Sequence, residues 1–171
     1  MIPVIIWIVM ILGGGVLSIW LDLQWFPEIF SSIFIHIITF VAGVFIFFFV
    51  MNASRNTGRF LAKFGRECDV PRLETNKLVT TGIYSCMRHP MHFGLLFSPL
   101  SIALILGLPT FVLIIAPAEM IIILLLIKFV EEPQAIRKFG NDYKKYMEQV
   151  PFFSLKAECL RKLFLKDNDI W

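Results

Sequence analysis

Neither lysine nor arginine occurs before Arg55, and the only acids in that stretch are Asp22 and Glu28. A leading apolar segment without a basic flank lacks the make-up of a signal peptide, and its apolar run outlasts the usual signal core. Residues 3–21 therefore read as a retained helix. Cysteine is equally sparse. Cys68, Cys86 and Cys159 include no C-x-x-C pair, which points to neither a disulfide framework nor a zinc site, and no bound metal is expected. There is no Ser-His-Asp or Cys-His constellation, no internal repeat, no low-complexity run and no sign of a nucleic-acid partner.

Apolar surface is what the chain has in excess. Of 171 residues 57% are hydrophobic and 18 are phenylalanine, more than one small soluble core can bury. Only Asp22, Glu28 and Glu119 carry charge outside the stretches 52–90 and 128–171, whereas a soluble protein spreads charge along every helix. These features predict an all-α integral membrane protein, a single membrane domain over residues 1–171. Four transmembrane helices are expected, at 3–21, 29–51, 91–108 and 109–130, each near the ~20 residues that cross a ~30 Å hydrocarbon layer. Leu106-Gly107-Leu108-Pro109-Thr110 supplies the turn between the last two, with Pro109 starting the next helix because its missing N–H is an orphan there.

Seven basic residues, Arg55 to Arg88, lie between the second and third spans, and nine follow from Lys128 onward. The positive-inside rule then puts both termini and the central loop in the cytosol. Two segments have the mix of basic and apolar residues of interfacial amphipathic helices: Arg59 to Arg66, and Leu155 to Lys166, where Leu155, Cys159 and Leu163 recur at helical spacing. For the first, the plainer reading is a basic flank that fixes topology.

Thr80 to Gly94 is polar, rich in turn residues, and runs into the third span. The fourth span ends at Glu131-Glu132. At ~1.5 Å per residue the hairpin goes out ~28 Å and returns ~34 Å, so its two ends should nearly align. Arg88 offers a bidentate contact to a carboxylate or phosphate. The N–H groups near Met91, His92 and Phe93 are free behind Pro90, and Glu131 closes a helix at the end that favours a cation. Such a site suits a zwitterion carrying a carboxylate and an amine or sulfonium. Glu132 points some 100° from Glu131 on a regular helix, and its position before Pro133 predicts a break with extended geometry. His89 and His92 have metal-ligand spacing but no third ligand at helical spacing. Tyr143 and Tyr146 read as packing partners of Phe139 or as aromatic-belt residues, and Gly82 and Gly140 as turn or cap positions. His36 and Glu119, ionisable at membrane depth, are expected either to pair with each other or to line a tunnel for a lipid substrate.

The string Leu78-Val79-Thr80-Thr81-Gly82-Ile83-Tyr84, then Arg88-His89-Pro90 and Gly94, then Glu131-Glu132, Phe139-Gly140, Tyr143, Tyr146 and Val150-Pro151 resembles the isoprenylcysteine carboxyl methyltransferase family and its phospholipid methyltransferase relatives. The resemblance covers about residues 76–153. It implies a multi-pass membrane methyltransferase that uses S-adenosyl-L-methionine from the cytosolic side and takes a lipophilic small molecule or lipid from the bilayer. The family's cofactor contacts fall on Asn76, Lys77, Leu78 and Val79, on Tyr84, and on His89, Pro90, Met91, His92 and Glu131, with Arg88 beside them. The family usually has Tyr where this chain has His92. Its prenylcysteine enzymes carry an Arg for the substrate carboxylate near Ile127, where this chain has Lys128; Lys128, Glu132 and Glu119 are the candidate substrate residues. No catalytic residue is assigned, because in-line methyl transfer to a neutral leaving group needs positioning more than a base. Alternatives left open are an NADPH-dependent membrane reductase of the sterol-reductase type, a non-catalytic four-helix membrane scaffold, and a haem protein using His36 with His89.

Overall fold

The computed structural model describes residues 2–67 and 75–164, and every regular element among them is helical. In chain order these are α1 (Ile2–Trp25), α2 (Pro27–Ser31), α3 (Ile33–Phe64), a 3-10 turn (Gly82–Ser85), α4 (Pro90–Leu95), α5 (Ser98–Leu106), α6 (Ala116–Leu126), α7 (Glu132–Phe139), α8 (Asn141–Gln149) and α9 (Ala157–Lys162). Wide turns at Phe111–Ile115 and Ile127–Glu131 join the helix that begins at Pro109 to α6 and α7.

Among the described residues three helices, where four were expected, are long and apolar enough to cross a membrane: Ile8–Trp25, Ile33–Phe64 and Phe111–Phe139. Large apolar side chains such as Phe34, Phe45 and Phe48 stand exposed along them, as lipid-facing positions would. The segment expected as the third span, Pro90–Leu106, is a shorter apolar helix interrupted between α4 and α5. Pro99 accounts for the interruption, since it cannot donate to the carbonyl of Leu95 and its ring would crowd that group. The basic stretch from Arg59 is no separate interfacial helix either; it is the end of α3, which continues to Phe64.

The two wide turns explain how one rod survives Pro117 and Pro133. The Ala116 N–H bonds the Phe111 carbonyl and the Glu132 N–H bonds the Ile127 carbonyl, each five residues back. A wide turn just before a proline makes room for the ring without ending the helix. Glu132 is consequently helical, with φ −61° and ψ −44°, and the extended break expected there is absent.

The chain forms two compact units, Met1–Phe48 with Leu96–Leu125, and Phe49–Leu95 with Leu126–Trp171. In the first, Ala103, Leu108, Phe111 and Ala116 make a buried cluster flanked by Phe30, Leu100, Val112 and Ile115. The Asp22 carboxylate, fully buried, accepts the Thr110 N–H at 2.8 Å and the Thr110 hydroxyl. It caps the helix that begins at Pro109, where early N–H groups have no partner within the helix. The turn before it is the expected one, with Gly107 at φ 65°. A side chain there would meet the His36 ring, whose nearest atom would lie 2.5 Å from an added Cβ. His36 Nδ1 bonds the Ser32 carbonyl at 2.9 Å, while the Glu119 carboxyl rests against Gly14 with Oε2 unpartnered. No hydrogen bond joins His36 to Glu119, so the expected pair is not formed.

In the second unit Tyr143, Tyr146 and Val150 form a buried cluster with Leu78, Ala135, Ile136, Phe139 and Met147. Gly82, at φ 61°, sits against the Phe60 ring, so close that an added Cβ would overlap it. α9 is tied in by Asn56, whose Nδ2 donates to the Leu163 carbonyl, and by a disulfide between Cys86 and Cys159 with Cα atoms 5.6 Å apart. That bond corrects the expectation that no cysteines pair: a sequence separation of 73 gives no hint of the approach. Cys68 and Lys166 lie outside the described residues.

Candidate functional site

The second unit holds a cavity of about 220 Å³ bounded by the end of α3, the Thr75–Val79 strand of loop, the Tyr84–His92 segment, and α7 with α8. Each wall has a local cause. The loop is closed at its base by the Gly65 carbonyl, which accepts the N–H groups of Asn76 and Lys77 at 3.0 and 3.2 Å. The 3-10 turn at Gly82–Ser85 reverses the chain so that Tyr84 turns inward and is buried. The Arg88 N–H then bonds the Pro151 carbonyl at 3.0 Å, which fixes the approach to α4.

Charge is paired in a definite pattern. Arg88 Nη2 lies 2.8 Å from Glu132 Oε1, and both side chains are nearly buried. Arg88 Nη1 donates to the Met147 and Val150 carbonyls at 2.9 and 3.1 Å, and the guanidinium lies over the Phe152 ring. His89 Nε2 shares the same Glu132 oxygen at 3.2 Å. One residue earlier on the rod, Glu131 Oε1 meets His92 Nε2 at 3.0 Å, and this pair is about one third exposed. The wide turn at Ile127–Glu131 thus serves two carboxylates to two histidines spaced i and i+3, one pair sealed and one open.

Burial depresses the His89 imidazole below its ordinary value, against the opposing pull of its hydrogen bond to Glu132. Burial also pushes the Tyr143 phenol up to about 12 and those of Tyr84 and Tyr146 up as well. All three are therefore neutral hydroxyls at physiological pH, and Tyr146 donates to the Tyr84 carbonyl at 2.6 Å.

A family profile for phospholipid methyltransferases matches residues 31–142, well over half of the chain. The chain belongs to the phospholipid methyltransferase family. No curated protein and no solved structure shows significant similarity to it. Membership agrees with the apolar helices in making this a membrane protein of a methyltransferase family.

Within that family frame, Lys77, Leu78 and Val79, Tyr84, Arg88 through His92, and Glu131 all line the cavity. The structure places the other expected residues, and the partners of two of these, as follows. Asn76 is exposed and bonds both the N–H and the carbonyl of Glu67, at 2.8 and 2.6 Å, so it closes the loop. Lys77 pairs with Glu67 as well. The Arg88 guanidinium bonds Glu132 and two carbonyls through its Nη atoms, and its buried Nε is left without a partner. Glu132, a candidate substrate residue, is sealed against Arg88 and His89. Lys128 is exposed with its ammonium over the Phe129 ring, and Glu119 belongs to the first unit; neither lines the cavity. Leu61, Thr75, Ala135, Phe139, Tyr143 and Tyr146 line it without having been assigned there. Ala135 and Phe139 share one face of α7 and Tyr143 and Tyr146 one face of α8, a spacing the sequence already shows.

Proposed function

We propose that the chain transfers a methyl group from S-adenosyl-L-methionine to a membrane-resident lipophilic acceptor: a prenylcysteine-like carboxylate, a phospholipid amine or a small thiol. The observation that carries this reading is the cavity, whose lining sets an open carboxylate, Glu131, among aromatic and apolar walls. The residues fit such a donor. Glu131 and the Tyr143 ring suit a cationic centre, and Leu61, Leu78 and Val79 offer an apolar wall to a nucleobase. Bound there, the donor supplies an electrophilic methyl group on a leaving group that departs neutral. The chain's own work is then to orient and to exclude water. Arg88 and Glu132 hold the His89 segment against α8, and the neutral Tyr146 hydroxyl donates to the Tyr84 carbonyl. An amine acceptor has to lose a proton and a carboxylate or thiolate does not, so the acceptor class decides whether a base is needed.

The topology that accompanies this reading is multi-pass, with both termini and the Arg55–Arg88 loop on one face of the membrane. The test pairs binding with turnover. S-adenosylhomocysteine should raise the melting temperature of the detergent-purified protein while NADPH does not, and tritium from the methyl donor should enter a lipid, thiol or prenylcysteine fraction. Protection by NADPH alone would replace the methyltransferase with a reductase.

A further inference from the structure

His89 and His92 approach a metal site in their spacing, and the fold supplies the third donor that the sequence does not reveal. Their rings stand 5.8 Å apart, and the wide turn before Glu132 brings the Glu131 carboxylate to them. One ligand atom from each of His89, His92 and Glu131 can be chosen so that all three lie within 4.8 Å of one another. Tetrahedral bonds of ~2.0–2.1 Å put ligand atoms about 3.4 Å apart, so closure onto an ion asks for side-chain rotations of about 1 Å.

Access and charge agree with that geometry. His92 and Glu131 are about one third exposed, and His89 is nearly buried behind them, so an ion would enter from the cavity and be gripped at its floor. Three protein ligands leave a fourth position open to water. If His89 turns to the ion, Glu132 keeps Arg88 at 2.8 Å and no carboxylate is stranded. Two imidazoles and one carboxylate select a borderline ion of the zinc, cobalt or nickel kind over calcium or magnesium, which prefer all-oxygen shells.

We propose that His89, His92 and Glu131 form a binding site for a divalent cation of the zinc class, and that its occupancy closes the cavity to the methyl donor. The closure rests on the donor reading above, because a dication on Glu131 repels a sulfonium and removes the carboxylate that would face it. The cation site itself does not depend on that reading.

The full chain, purified without a histidine tag and stripped with a chelator, should bind one equivalent of Co²⁺ with visible d–d bands that Zn²⁺ then bleaches. His92→Phe and Glu131→Gln should each weaken cobalt binding by more than about tenfold, judging from the cost of lesser damage around metal sites. His36→Ala should bind as the parent does. A melting curve on each variant separates a lost ligand from a lost fold. No saturable band, or a folded His92→Phe protein with undiminished affinity, overturns the cation site. In the second arm, Zn²⁺ should abolish binding of tritiated S-adenosyl-L-methionine, which carries the sulfonium; undiminished binding at saturating Zn²⁺ overturns the closure. If the nucleotide fails to bind the stripped protein at all, the donor reading and the closure fall together, and the cobalt spectrum still decides the cation site.

Discussion

Replacing Glu132 with glutamine should cost far more stability than the same change at Glu131, although the two are neighbours in sequence. Glu132 is 8% exposed, its partner Arg88 is 11% exposed, and they meet at 2.8 Å. Removing one member of a buried ion pair strands the other charge away from water, at roughly 3–5 kcal/mol. The Met147 and Val150 carbonyls still hold Arg88, which argues for the lower end, about 3 kcal/mol. At ~2–4 °C per kcal/mol for a chain of this size, the melting temperature should fall by about 6–12 °C. Glu131 and His92 are 37% and 29% exposed, and a pair that open contributes ~0–1 kcal/mol, so Glu131→Gln should melt within about 4 °C of the parent. Thermal unfolding in one detergent, followed by intrinsic fluorescence, measures both. A double variant, Arg88→Met with Glu132→Leu, should recover most of the loss, since apolar residues of similar volume often replace a buried pair without penalty. Equal melting temperatures for Glu132→Gln and the parent would refute the division into one sealed pair and one open pair.

Two further outcomes follow from burial and covalent structure. The tyrosine phenols are raised in the folded state, Tyr143 to about 12, so their contribution to stability is complete below the unfolded value near 10 and is lost as pH rises through the folded one; tyrosinate absorbance should stay low to about pH 12 and then appear together with unfolding, and a smooth titration near pH 10 in folded protein would contradict the burial. The Cys86–Cys159 bond closes a sequence separation of 73, which the loop-entropy relation equates to about 4 kcal/mol; reducing oxidised protein should therefore lower its melting temperature by roughly 8–16 °C, and Cys86→Ser should be insensitive to reductant.

Much of the candidate site was legible because turn chemistry and charge are local. Gly107 and Pro109 announce a reversal whatever surrounds them, and Arg88-His89-Pro90 with Glu131-Glu132 stand out against apolar neighbours. The corrections share another cause: each depends on where a hydrogen bond goes. Pro133 reads as a break, but whether a helix breaks or widens depends on carbonyl partners five residues back, which periodicity does not register. Arg88 reads as a receptor for anions, yet the Met147 and Val150 carbonyls, some sixty positions away, occupy its Nη1. Asn76 looks like a ligand contact and serves Glu67. Tyr143 and Tyr146 look like ordinary packing, and they are packed; the same burial makes them a wall of the cavity.

The length of α3 has a consequence of its own. At ~1.5 Å per residue its 32 residues make a rod of about 48 Å, and a ~30 Å layer of oil covers only some twenty of them. The overhang has to be the end bearing Asn52, Arg55, Asn56, Arg59 and Lys63, and Leu61, which lines the cavity, stands well out along it. On the proposed methyltransferase reading, an acceptor dissolved among the acyl chains would have to raise its reactive head to headgroup level, so a long polar neck between tail and nucleophile would favour turnover and a short one would starve it.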